Sequence, residues 1–127
     1  MSSEPALQNT PNVNLRRWPR YKLDVPIRLI APKGDKVSIV QGRAQGLNEG
    51  GMAVFGGMEL AVDEEVAIEF TPPYTGQPIR VRAVVRNRSG YNYGLEFLLE
   101  KESDFEGVGL IRAVLAAMGS RILEDYL

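Results

Sequence analysis

The sequence predicts a mostly β fold, a small six-stranded antiparallel barrel followed by one C-terminal α-helix. Three observations lead there. Between Lys22 and Leu99 apolar residues recur at every second position in six short runs, the period of a strand with one buried face. Glycine, proline and asparagine punctuate those runs. Beyond Ser103 the apolar spacing lengthens to three and four residues, which is a helical face. Six strands with one apolar side each lose their exposed edges by closing on themselves.

The elements follow in order. In the first strand Leu23, Val25, Ile27 and Leu29 alternate with Lys22, Asp24, Pro26 and Arg28. Pro26 has no N–H to give, so its strand lies at an edge or turns that position outward. "APKGDK" is a turn, residues 37–45 a second strand and residues 51–55 a short third. Val66, Ile68 and Phe70, alternating with Glu65, Ala67 and Glu69, make the fourth, and "TPPYTGQP" is a loop. Ile79, Val81, Ala83 and Val85 interleave with Arg80, Arg82 and Arg86 in the fifth, the arginines reading as a solvated outer row. "NRSG" then turns into a sixth strand with Tyr91, Tyr93, Leu95, Phe97 and Leu99 on one side.

The helix is expected over 103–125. Ser103 and Glu106 have the spacing of a capping box. Phe105, Val108, Ile111, Leu115, Met118 and Ile122 form its stripe, widened by Leu110, Val114 and Ala117. Gly107, Gly109 and Gly119 each weaken it by about 1 kcal/mol relative to alanine, so it needs tertiary support. The wide face is expected to pack on the barrel; a dimer or partner surface is the alternative.

Composition narrows the function. The 127 residues make one domain, with a hydrophobic share of 44% and a charged share of 24%, values of an ordinary globular protein. There is neither cysteine nor histidine, which removes thiolate chemistry, zinc knuckles and the commonest general base. An enzyme is not expected, and Asp63, Glu64 and Glu65 read as a solvated acidic turn. The polar first fifteen residues do not resemble a signal peptide, and no run approaches a membrane span, so a cytoplasmic location is expected. Net charge is −1 overall but uneven. Residues 1–50 hold 8 Lys/Arg against 4 Asp/Glu, and residues 51–127 hold 7 against 12. An anionic partner is therefore expected to be small and locally bound, not DNA. Tyr91 and Tyr93 fall in the apolar set, which argues against an oligonucleotide-binding barrel.

Residues 1–14 read as a disordered tail and residues 15–21 as a basic arm. Arg16, Arg17, Arg20 and Lys22 crowd together directly before the first strand. Guanidinium groups give planar forks of donors to phosphate oxygens or to guanine O6 and N7, and they stack on purines. Pro19 biases Trp18 toward an extended conformation. Trp18 either stacks on a bound ligand or anchors the arm, and the anchor is preferred.

The R-x-x-x-R pattern from Arg16 to Arg20, the glycine turn "GLNEGG" that begins 26 residues after Arg20, and the closing strand "YGLEF" together resemble the PilZ domain family over residues 15–99. These are bacterial receptor domains for cyclic di-GMP. The resemblance implies a PilZ-type barrel over residues 22–100 with its arginine arm folding over the ligand, in a PilZ-like domain of residues 15–127. It maps Arg16 and Arg20 onto the two ligand-binding arginines, with Arg17 between them within reach of a phosphate. The family's second motif, Asp/Asn-x-Ser-x-x-Gly, aligns its last glycine on Gly51. That puts Asn48 at the serine position and Gly46 at the Asp/Asn position. Asn48 keeps polar atoms there, whereas Gly46 has no side chain. A lost contact of that kind costs about 1–3 kcal/mol.

The implied function is a cyclic di-GMP-binding regulatory domain that couples the nucleotide to an unidentified protein partner, without cofactor or metal. Its ligand-binding residues would be Arg16, Arg17, Arg20, Asn48 and Gly51. Leu15 offers no donor for a second nucleotide, so one ligand per chain is expected. The alternative is a degenerate PilZ-like interaction module that does not bind the nucleotide.

Overall fold

The computed structural model describes residues 21–72 and 76–126, with side chains as far as Met118. Period-two patterning yields six strands: β1 (Tyr21–Lys33), β2 (Lys36–Leu47), β3 (Gly51–Gly56), β4 (Glu65–Phe70), β5 (Ile79–Ser89) and β6 (Asn92–Phe97). One helix, α1 (Glu102–Tyr126), follows. The strands close into a barrel in the order β1-β2-β3-β6-β5-β4, every neighbouring pair antiparallel. Ile27, Leu29, Ala44, Val54, Ile68, Val81, Val85 and Leu95 fill its interior, the inward-facing alternate residues of their strands. Leu23 and Val25, at the open end of β1, are only partly buried against that core.

Pro26 pairs with Arg43 of β2 but precedes the ladder to β4, which begins at Ile27. Its missing N–H therefore leaves the barrel seam intact. The register of β1 slips between Lys22 and Val25, and Arg43 braces the slip by donating to the Asp24 carboxylate at 2.6 Å and to its carbonyl at 3.0 Å.

The β5–β6 connection differs from expectation. β5 runs on through "NRS", because Arg88 pairs with Tyr93 and Ser89 with Asn92. The turn is Gly90 and Tyr91, with Gly90 at φ +63°, a conformation open to glycine without penalty. Tyr91 thus sits in the turn and Leu99 lies past the end of β6; both are exposed and neither belongs to the core. Tyr93 is buried, its hydroxyl donating to the Met58 carbonyl and accepting from the Leu60 N–H.

The start of α1 also differs. The Lys101 carbonyl accepts the N–H groups of Asp104 and Phe105, so Ser103 lies inside the first turn and Glu106 has no capping partner there. Asp104 does the capping, its carboxylate accepting the N–H of Lys101 at 2.8 Å and of Glu100 at 3.0 Å. This is the reach-back half of a capping box, two positions earlier than the Ser103–Glu106 pair would place it. Turning Asp104 inward turns Phe105 out, 56% exposed. Val108, Ile111, Val114, Leu115 and Met118 are buried, whereas Leu110 is exposed; Gly119 and Ile122 lie beyond the described side chains. The helix packs on β5 and β1. It approaches β5 closely at Gly107, where a Cβ would come within 2.7 Å of both the Arg80 carbonyl oxygen and a Val81 methyl.

Candidate functional site

The arm residues Arg16, Arg17, Trp18 and Arg20, with the tail before them, lie outside the described residues. Their point of attachment is defined. Tyr21 pairs with Leu47 and Lys22 with Gly46, so the arm joins the barrel beside the segment that carries the second motif.

That segment, residues 48–51, is a tight polar turn between β2 and β3. Asn48 Oδ1 accepts the N–H of Gly50 at 2.7 Å and of Gly51 at 2.8 Å, while the Asn48 N–H donates to the Gly51 carbonyl. Asparagine is suited to this because its side-chain carbonyl mimics a backbone acceptor. Asn48 is 6% exposed, and its amide NH2 finds no partner among the described residues. Gly51 is explained by proximity: a Cβ there would collide with the Leu95 carbonyl across the β3–β6 ladder. The glycines with positive φ are Gly34, Gly76 and Gly90. Gly46 is not among them; it is buried in β2 between Lys22 and Ala53, at the point where the register toward β3 slips between Ala44 and Gly46.

The remaining arginines are largely committed to carboxylates. Arg28 and Arg80 both donate to Glu69 at 2.9 Å. Arg86 meets Glu96 and Asp63, and the Glu96 hydrogen bond raises its pKa further. Arg88 donates to the Gly90 and Leu60 carbonyls and lies over the Tyr93 ring. Arg82 corrects the expectation of a solvated row. It gives a two-pronged contact to Asp104 at 2.9 and 2.7 Å and also reaches Glu65 and Glu100. Its hydrogen bonds hold the Asp104 carboxyl well below the usual carboxylate range despite burial, helped by the Lys101 and Glu100 N–H groups. The same contact raises Arg82 above its ordinary value.

The acidic turn is also built into the fold. Asp63 adopts φ +76°. Glu64 accepts the Ala61 N–H and pairs with Lys33; these outweigh burial and lower its pKa.

One contact at the motif turn was not signalled by any motif. Arg112 of α1 places Nε 3.1 Å from Oε1 of Glu49, the residue after Asn48. The one available cue was Arg112 itself, a cation in an acidic half of the chain. Among the described residues no cluster of His, Cys, Asp and Glu could hold a metal ion, and no helix is long and apolar enough to cross a membrane.

Solved structures share this barrel. The barrel is similar to the crystal structure of the PilZ domain of CeSA from a cellulose-synthesizing bacterium. That match has 20% identity and a TM-score of 0.61, covering 79% of this chain and 98% of that one. It is also similar to the Bacillus subtilis inhibitor of motility MotI/DgrA, with 16% identity and a TM-score of 0.56, covering 83% of this chain and 52% of that one. At such identities the likeness shows the fold. No curated protein matches the chain. The PilZ domain family model matches residues 14–113, from the arginine arm through the barrel into α1, and the chain belongs to the PilZ domain family.

Proposed function

We propose that this PilZ domain is a regulatory receptor that binds cyclic di-GMP and passes the event to a protein partner. The observation that carries the reading is the pairing of Tyr21 with Leu47. It tethers an arm bearing Arg16, Arg17 and Arg20 one residue away from β1, next to the 48–51 turn. The arm supplies guanidinium groups for two phosphates and for guanine acceptors, and the turn supplies a buried asparagine amide. Ligand would draw the arm onto the barrel end and create the surface that a partner reads.

Calorimetric titration with cyclic di-GMP, beside GTP and GMP controls, tests this. Arg16→Ala and Arg20→Ala should each weaken binding by more than about 1 kcal/mol, and Arg80→Ala, whose guanidinium is paired with Glu69, should change it little. Equal binding by wild type and both arm variants would remove the arm from the site.

A second reading has its own observation. Gly46 brings no side chain, and Asn48 spends its carbonyl on Gly50 and Gly51, so the turn offers a ligand few acceptors. A chain that binds no cyclic di-GMP while remaining folded would be an interaction module on the same barrel.

A further inference from the structure

We propose that Arg112 is a further ligand-binding residue, a cation that α1 holds at the motif turn for a phosphate of the nucleotide. The proposal rests on the cyclic di-GMP reading above and assigns a residue that lies outside both the arginine arm and the second motif.

Three features of the structure favour it. First, α1 is fixed on the barrel by the buried Val108, Ile111, Val114 and Leu115, so its residue 112 is delivered to one place. That place is the 48–51 turn, as the contact with Glu49 shows. Second, the guanidinium there is uncommitted. Arg112 is 60% exposed and meets Glu49 through Nε, and its two Nη groups have no partner among the described residues. Arg82, by contrast, is shared among three carboxylates and is only 21% exposed. Third, a lone exposed ion pair holds its partners weakly, so an incoming dianionic ligand can recruit Arg112 without a large desolvation cost. Glu49 then acts as a placeholder. It keeps the guanidinium at the turn in the free protein and opposes an anion once one arrives.

These roles predict unequal effects, weakening on loss of Arg112 alone, which a purely structural tie between helix and turn does not. Removing either partner abolishes the ion pair equally. Only Arg112 offers donors to a phosphate, whereas Glu49 repels it. Full-length protein is titrated with cyclic di-GMP at low and at raised salt, alongside thermal melts, as wild type, Arg112→Ala and Glu49→Gln. Arg112→Ala should weaken binding about tenfold, the loss of a charge-assisted hydrogen bond to phosphate, and should flatten the salt dependence. Glu49→Gln should bind as tightly as wild type or about twofold tighter. Both variants should melt with wild type. If wild type binds and the two variants weaken alike, the pair is only a structural tie and the inference is overturned. If wild type binds and Arg112→Ala is indistinguishable from it, the inference is likewise overturned while the receptor reading stands. A wild type that does not bind cyclic di-GMP removes both.

Discussion

Asp104 lies 2% exposed at the start of α1, with its carboxylate gripped by both arms of the Arg82 guanidinium and by two backbone N–H groups. A single carboxylate thus fixes the helix start to β5 and also satisfies donors that a helix entrance would otherwise leave orphaned.

Asp104→Asn should therefore lower the melting temperature at neutral pH by roughly 5–10 °C, since a charged acceptor shared by four N–H donors from three residues is lost. The pH dependence has a definite sign. A carboxyl whose folded pKa lies below its unfolded value near 4 stabilises fully above that value, and its contribution is lost as pH falls toward the folded one. Wild-type melting temperature should drop below about pH 4, and Asp104→Asn should flatten that acid limb. Melts from pH 7 to pH 2 on both proteins decide it; parallel curves would mean Asp104 contributes nothing.

Gly107 and Gly109 should respond oppositely to alanine. At Gly107 the new methyl would meet the Arg80 carbonyl and Val81, forcing α1 off β5 at a cost of about 1–3 kcal/mol. At Gly109 nothing lies within 4 Å, so alanine should stabilise by about 0.5–1 kcal/mol through helix propensity. Urea denaturation of the two variants gives both numbers.

Restoring an acid at the second motif should strengthen the receptor. Gly46 is not among the glycines with positive φ, so its backbone dihedrals do not oppose a side chain. Gly46→Asp should tighten cyclic di-GMP binding about tenfold or more by accepting from guanine N–H groups. Pairing it with Asn48→Ser is less favourable, because serine would have to replace the acceptor now serving Gly50 and Gly51. Calorimetry accompanied by thermal melts compares the single and double variants. A folded Gly46→Asp protein without detectable binding would favour the interaction-module reading.

Saturating cyclic di-GMP should slow tryptic cleavage after Arg16, Arg17 and Arg20, and the fitted stoichiometry should be one nucleotide per chain. Cleavage rates that ignore the ligand would argue against an arm that closes on it. A ratio of two would mean Leu15 does not limit the site.

The strands were legible because alternation is a local signal and survives wherever one face is buried: Ile27, Leu29, Ile68 and Val81 all face inward as their period requires. What misled were the ends of elements, where a neighbour outweighs the pattern. Tyr91 fits the alternation of β6, yet the pairing of Ser89 with Asn92 puts it in a turn. Phe105 fits the helical stripe, yet Arg82 on a distant strand draws Asp104 inward instead. At the site, the motif glycine Gly51 and the substituted Asn48 were visible as residues. Their reasons, a carbonyl at Leu95 and a knot of backbone hydrogen bonds, exist only once β3 lies on β6. Arg112 was legible only as a cation in an acidic half of the chain, since its contact with Glu49 depends on where a helix some sixty residues downstream lands.

The two ladders made by β1 are unequal. Toward β2 it is paired along nearly its whole length through a short turn, whereas toward β4 only Ile27 to Ile30 are joined, to residues some forty positions away. The short ladder is the seam at which the barrel is sewn shut. Loop-closure entropy disfavours such distant pairings, here and in the β3–β6 ladder, relative to the hairpin of residues 21–47. The motif turn lies at the end of the hairpin, on the opposite side of β1 from that seam, and the hydrogen bonds that Asn48 makes to Gly50 and Gly51 do not depend on it.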